Sequence, residues 1–315
     1  MRTTRRYLDA WRADGRLSPA QHDALDALVS RRRLSLFVEL NALLYVGVLA
    51  FAGGLAWTAR AYSDQWGDLA ILLPATALVL GCFAWAFAKA QPYSPARVES
   101  PSLVFDYVLY LGCLVLGVVF GYAEYRFEVL RDQWDYYLLA SAVVYFAAAY
   151  RFDNRFVLSL GIATLGGWFG VRFTRLTWFG DEPARLLALT YSVVVAGMAL
   201  ATWQLRIKRH FLDAYLQVAA IVVLTTLTWS VLESDGLSPW LLASMAAAGS
   251  TLAGGVHFRR FSFVVYGAFA GYVSLSRELL RYSAGVEVAF LYMVVSAGLM
   301  VLGLVTLSRR MEPRP

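Results

Sequence analysis

Charge is scarce in this sequence: 16% of its 315 residues are Asp, Glu, Lys or Arg, against 59% that are hydrophobic. A soluble domain carries about 25% charged and roughly 45–50% apolar residues. A core of this size cannot hide such a surplus from water, because a small globule keeps much of its surface exposed. The excess needs lipid, in line with a mean hydropathy of +0.55. Lysine is nearly absent, with only Lys89 and Lys208 among the 28 basic residues. Cysteine is equally rare. Cys82 and Cys113 each stand alone inside an apolar run without CxxC or zinc spacing, so they read as small core hydrophobes. The three histidines, His22, His210 and His257, share no HExxH or metal-ligand spacing. The sequence has no GxSxG elbow, no P-loop and no GxGxxG opening a helix after a strand. These absences argue against an enzyme, and neither a metal nor a cofactor is expected. The formal charge of +6 does not point to nucleic acid either, since the basic residues sit between apolar runs rather than on one polar face.

What the sequence has is length in apolar pieces. A bilayer core about 30 Å thick takes roughly 20 residues of helix. Runs of about that length recur at 36–59, 68–88, 103–123, 135–150, 156–172, 185–205, 211–232, 238–256, 261–280 and 286–308. They predict an all-α, polytopic transmembrane bundle of about ten helices. Eight arginines precede Leu36, and that first run lies too late and is too long for a signal peptide, so it is expected to remain as an anchor. With the N-terminus inside, the cytoplasmic segments hold 20 of the 28 basic residues, while 12 of the 22 acidic residues fall outside. The positive-inside rule then predicts a multi-pass protein of the bacterial inner membrane with both termini cytoplasmic.

The first 35 residues differ in kind. Tyr7 to Ala13 can form a helical stretch that Gly15 breaks. Ser18-Pro19-Ala20-Gln21 then carries a helix start, with Ser as N-cap, Pro at the first position and Gln at the third. This predicts a cytoplasmic helical hairpin over 1–35, closed by Arg31, Arg32 and Arg33, which can meet anionic headgroups at about 1 kcal/mol each. A plain topogenic basic tail is the alternative. A protein partner would dock on the hairpin.

Self-similarity at about 105 residues organises the rest. Leu138-Leu139-Ala140-Ser141 recurs as Leu241-Leu242-Ala243-Ser244, and Arg155-Phe156 recurs as Arg260-Phe261. Gly161 and Gly166 match Gly267 and Gly271, and Tyr191 to Met198 match Tyr292 to Leu299. Asp106 and Asp213 open the corresponding helices. The expected layout is two helices over 36–102, a four-helix repeat over 103–210 and a second over 211–315. An even number of crossings makes the repeats parallel.

Ionisable residues in membrane helices are functional candidates by default. Glu39, Asn41, Asp106 and Asp213 lie near the predicted cytoplasmic boundary, with Arg155 and Arg260 as repeat-related partners for the two aspartates. They make either interfacial caps and ion pairs or a pseudo-symmetric vestibule for a cation or proton. The small-residue pairs Gly117/Gly121, Gly166/Gly170 and Gly267/Gly271 suit close helix packing, or a dimer face in a homo-oligomer. Aromatic residues near the outer helix ends, such as Tyr136, Trp168 and Trp240, read as an interfacial belt. Stacking of a sugar or headgroup with Arg126, Arg172 and Arg175 is the alternative.

The opening Trp11-Arg12-Ala13-Asp14-Gly15-Arg16-Leu17-Ser18 fits W-x3-G-x-[IL]-[ST], and a glycine-containing first membrane helix follows, from Leu43 to Trp57. Over roughly these first 60 residues the chain resembles a bacterial family of predicted membrane proteins, domain of unknown function 2157. The resemblance implies an uncharacterised inner-membrane protein and carries over no site residues. Three classes of function stay open. A non-enzymatic membrane module that senses, scaffolds or docks a partner through the hairpin is preferred. A small-solute transporter or channel between the repeats comes second, and an enzyme acting on lipid or glycan at the outer face third.

Overall fold

The computed structural model describes residues 8–9, 11–30, 36–174, 181–234, 238–281 and 285–311, and among them every regular element is helical. A short helical piece at 11–13 turns at Gly15, whose φ of 69° suits a residue without a Cβ. Helix α1 (Pro19–Ser30) follows. Its start is a reciprocal capping box: Ser18 N–H donates to Gln21 Oε1 at 3.0 Å and Gln21 N–H donates to Ser18 Oγ at 3.3 Å. His22, buried, is 3.1 Å from Asp9 and ties the two pieces together.

The long helices are α2 (Leu36–Trp66), α3 (Asp68–Lys89), α4 (Leu103–Phe127), α5 (Tyr136–Phe152) and α6 (Arg155–Thr174). They continue as α7 (Asp181–Gln204), α8 (Leu212–Glu233), α9 (Pro239–His257), α10 (Phe261–Arg281) and α11 (Val286–Met311). Six of them, α2, α3, α4, α7, α8 and α11, are long and apolar enough to cross a membrane. The others are shorter or diluted by small and polar residues. Helix α5 has 17 residues, and α10 carries Arg277 and Glu278 near its end. Those same four helices form two of the closest pairs in the fold, α5 with α6 and α9 with α10. Small side chains lower hydropathy and at the same time let helices approach.

Four tight antiparallel pairs build the bundle: α3·α4, α5·α6, α7·α8 and α9·α10. All four are closed at one end, by residues 90–102, 153–154, 205–211 and 258–260, and among the described residues these closures and the helix ends beside them hold both lysines and Arg97, Arg151, Arg155, Arg206, Arg209, Arg259 and Arg260. The largest core cluster joins α4 through α8 around Phe105, Leu109, Tyr145, Val157, Val195 and Tyr215. Leu73, Leu80, Phe87, Leu242 and Leu302 point outward. An apolar surface so extensive suits lipid rather than water.

Glycine sets the closest approach. A Cβ on Gly267 would lie 2.6 Å from the Ala248 carbonyl oxygen, and one on Gly255 would lie 2.7 Å from Val264 N. Backbone cannot yield as a side-chain tip can, so α9 and α10 touch only because these two residues are glycine. The other small-residue pairs work unevenly. A methyl at Gly166 would meet the Tyr191 ring at 3.2 Å, whereas Gly121 and Gly170 have nothing within 4 Å.

Candidate functional site at the basic end of the bundle

The end that closes the four pairs also gathers the polar groups. In the first turn of α4, Asp106 Oδ1 accepts from Ser100 Oγ at 2.9 Å and from Asn154 Nδ2 at 2.8 Å. Asn154 is the N-cap of α6, its Oδ1 accepting from Val157 N–H at 3.0 Å, and its amide also reaches Tyr110 Oη at 3.2 Å. Tyr45 on α2 extends the chain, its hydroxyl donating to Tyr110 at 3.4 Å. Arg155 lines the same cleft, of about 220 Å³, yet Asp106 takes its hydrogen bonds from Ser100 and Asn154. The expected Asp106–Arg155 pair is therefore corrected by one position. Arg155 is the first residue of α6 and is exposed, while Asn154, in the turn before it, is buried.

In the second half of the chain the expected partners do meet. Arg260 Nη1 donates to Asp213 Oδ2, across the first turn of α8 and the turn before α10. Glu39 and Asn41 lie in the first turns of α2, but their side chains fall outside the described residues, as do Arg31, Arg32 and Arg33 altogether.

The cleft that holds Asp106 also holds part of a cluster that the sequence did not reveal. The side chains of Asp153 and Lys208 are each 1% exposed and 2.9 Å apart. Asp153 also accepts from Val98 N–H and from His210 Nε2. Lys208 Nζ donates to the Ala96 carbonyl at 3.1 Å and lies 5.5 Å from the Tyr93 ring centroid, while its backbone N–H donates to Pro95 O at 2.8 Å. Asp153 and Lys208 both adopt left-handed backbone, with φ of 56° and 48°. Aspartate tolerates that region and lysine rarely visits it, so the ion pair offsets a local strain of about 1–3 kcal/mol. One carboxylate thus locks the 90–102 connection, the α5–α6 turn and the α7–α8 connection together. Lys208 and His210 look like ordinary loop charges in sequence. The one local sign was Asp-Asn after a helix, a pair that favours turns.

The opposite end carries its own pairs. Asp68 accepts from Arg126 Nε at 2.7 Å and from Tyr122 Oη at 3.0 Å. Buried Asp135 accepts from Trp168 Nε1 at 3.1 Å, with Arg172 at 3.5 Å. Arg185 lies 4.7 Å from the Trp240 ring centroid and bonds Glu233 at 3.2 Å. Arg126 and Arg172, considered above as headgroup contacts, meet carboxylates, and Arg175 lies outside the described residues. Among the described residues no three His, Cys, Asp or Glu side chains converge to hold a metal ion.

Residues 9–158 match the family described as predicted membrane protein (DUF2157). Just under half of the chain carries the DUF2157 pattern. It runs from the hairpin through α2–α5 into the first turn of α6, about a hundred residues past Trp57, where the resemblance read from sequence ended. Asp106, Asp153 and Asn154 fall inside the DUF2157 match, whereas Lys208, His210, Asp213 and Arg260 lie beyond it. The buried ion pair therefore ties the matched part to the rest. No curated protein and no solved structure matches the chain.

Proposed function

We propose that this protein is a non-enzymatic module of the bacterial inner membrane that docks a partner through its N-terminal hairpin. Ten helices, α2 to α11, cross the bilayer, and the basic end faces the cytoplasm together with both termini. The layout is two helices followed by two parallel four-helix units, α4–α7 and α8–α11. The matching places of Asp106 with Asn154 and of Asp213 with Arg260 support the repeat, each pair joining the first helix of a unit to the turn before its third. The excess of basic residues at the four closures supports the orientation.

The observation that carries the docking role is the hairpin itself. It holds its own capping box, its own glycine turn and the Asp9–His22 contact, and so is built as a small folded element rather than a basic tail. The alternative, a solute pathway between the units, is less well supported. Polar side chains deep in the helices bond back to backbone, Tyr145 to Cys113 O and Tyr191 to Ile162 O, both at 2.8 Å, and knit neighbouring helices together. The test replaces residues 1–30 with a flexible linker of equal net charge in a strain lacking the gene. Loss of complementation with normal membrane levels is expected; full rescue by the linker chain would refute the docking role.

A further inference from the structure

A groove lies over α8, between α7 and α9, at the seam of the two proposed four-helix units. Its volume is about 510 Å³. It starts at Asp213 and Arg260 and reaches Val223 on α8 and Ala247 on α9. Ten residues of helix at 1.5 Å each give a depth of about 15 Å. That is half of a hydrocarbon core about 30 Å thick, the depth of one leaflet. A single extended acyl chain can lie along a groove of this length.

The lining agrees. Leu216, Val193, Val223 and Phe263 form apolar walls. The hydroxyls that could have made the groove polar are turned away: Ser192 donates to Ala188 O at 2.8 Å, Ser250 to Ala247 O at 3.0 Å and Thr251 to Ala247 O at 2.7 Å. A polar solute would find few partners there. At the mouth the chemistry reverses. Arg260 lines the mouth and is exposed, and Arg259 and His257, its neighbours in the chain, are exposed as well. Arg260 gives one nitrogen to Asp213, and a guanidinium has five N–H donors. Both α8 and α10 begin at this mouth, so their positive ends add to an anion's attraction.

We propose that this groove is a binding site for an anionic phospholipid, one acyl chain lying along α8 and the phosphate held by Arg259 and Arg260. The lipid comes from the leaflet at the basic end. No bond is made or broken.

The test uses the full chain in nanodiscs of phosphatidylcholine containing a small fraction of phosphatidylglycerol with a photoreactive group midway along one acyl chain. Crosslinks are expected on 212–223 and 247–258, to be competed by unlabelled phosphatidylglycerol and hardly at all by extra phosphatidylcholine. Labelling should fall about thirtyfold in Arg259→Gln/Arg260→Gln, the product of two basic contacts near a membrane surface. It should be lost in Ala220→Phe, which fills the groove, and kept in Arg309→Gln/Arg310→Gln at the end of α11. Labels spread evenly over the outward helices, or equal competition by the neutral lipid, would overturn the proposal. So would a crosslink between two copies across the groove. The competition arm uses the unaltered chain and decides the matter even if Ala220→Phe misfolds. Replacing the hairpin leaves this readout intact, so failure here and failure of the docking role are separate results.

Discussion

Asn154 stands toward Asp106 as Arg260 stands toward Asp213. Each is the last residue before a helix, α6 or α10, and each follows a residue in left-handed backbone, Asp153 at φ 56° and Arg259 at φ 54°. Each reaches a carboxylate near the start of α4 or α8. One contact is a neutral amide, buried and also serving as an N-cap; the other is an exposed guanidinium. The geometry is shared while the chemistry has diverged.

The buried contact makes a sharp prediction. Asn154→Asp keeps a capping oxygen but sets two carboxylates about 3 Å apart, and like charges so placed cannot both ionise without cost. Thermal unfolding in detergent should show clear destabilisation, recovered when Asp106→Asn is added. Asn154→Ala should lose about 1 kcal/mol for the cap alone. Failure of the second substitution to restore stability would mean that the two side chains do not meet.

Asp153 and Lys208 should behave as a unit. Asp153→Ala strands the buried Lys208 ammonium and should lower the unfolding free energy by about 3–5 kcal/mol. Lys208→Met leaves Asp153 with His210 and Val98 N–H and should cost less. The double variant should lose much less than the sum, and a double-mutant cycle measures the difference. Strict additivity would contradict the ion pair.

The glycines separate by contact rather than by motif. Gly267→Ala drives a methyl into the α9 backbone and should destabilise the fold by at least about 1–3 kcal/mol, the usual range for overpacking. Gly170→Ala and Gly121→Ala place the methyl in open space and should be neutral or slightly stabilising. Melting temperatures of the three variants in one detergent check this ordering.

Ser18→Ala should act only locally. Loss of the capping oxygen costs about 1 kcal/mol of helix stability. Amide exchange over 19–22 should speed up while the bundle's melting temperature stays put. A drop in the bundle's own stability would show that the hairpin is part of the core.

Much of this architecture was legible because its causes are local. The apolar runs mark α2 to α11 to within a few residues except at the far end of α2, since each run and the helix that carries it end at the same local breaks in the sequence. The Ser18–Gln21 box was legible for the same reason: donor and acceptor lie three residues apart. The Asp153 cluster was not. Its members are 55 and 57 residues apart in the chain, and each alone has the look of a topogenic loop charge. Asp106 was identified but given the wrong partner, because aligning Arg155 with Arg260 matched residue types, whereas the turn geometry aligns Asn154 with Arg260. The groove over α8 needed three helices to be placed before it existed at all.

The orientation of the basic end carries the docking role and the lipid site alike, and reporter fusions measure it directly. Fusions after Met311 and within the α3–α4 connection at Tyr93 should be active only with a cytoplasmic reporter, and one at Arg131, between α4 and α5, only with a periplasmic one. A periplasmic signal at Met311, or the same side for Tyr93 and Arg131, would contradict the account.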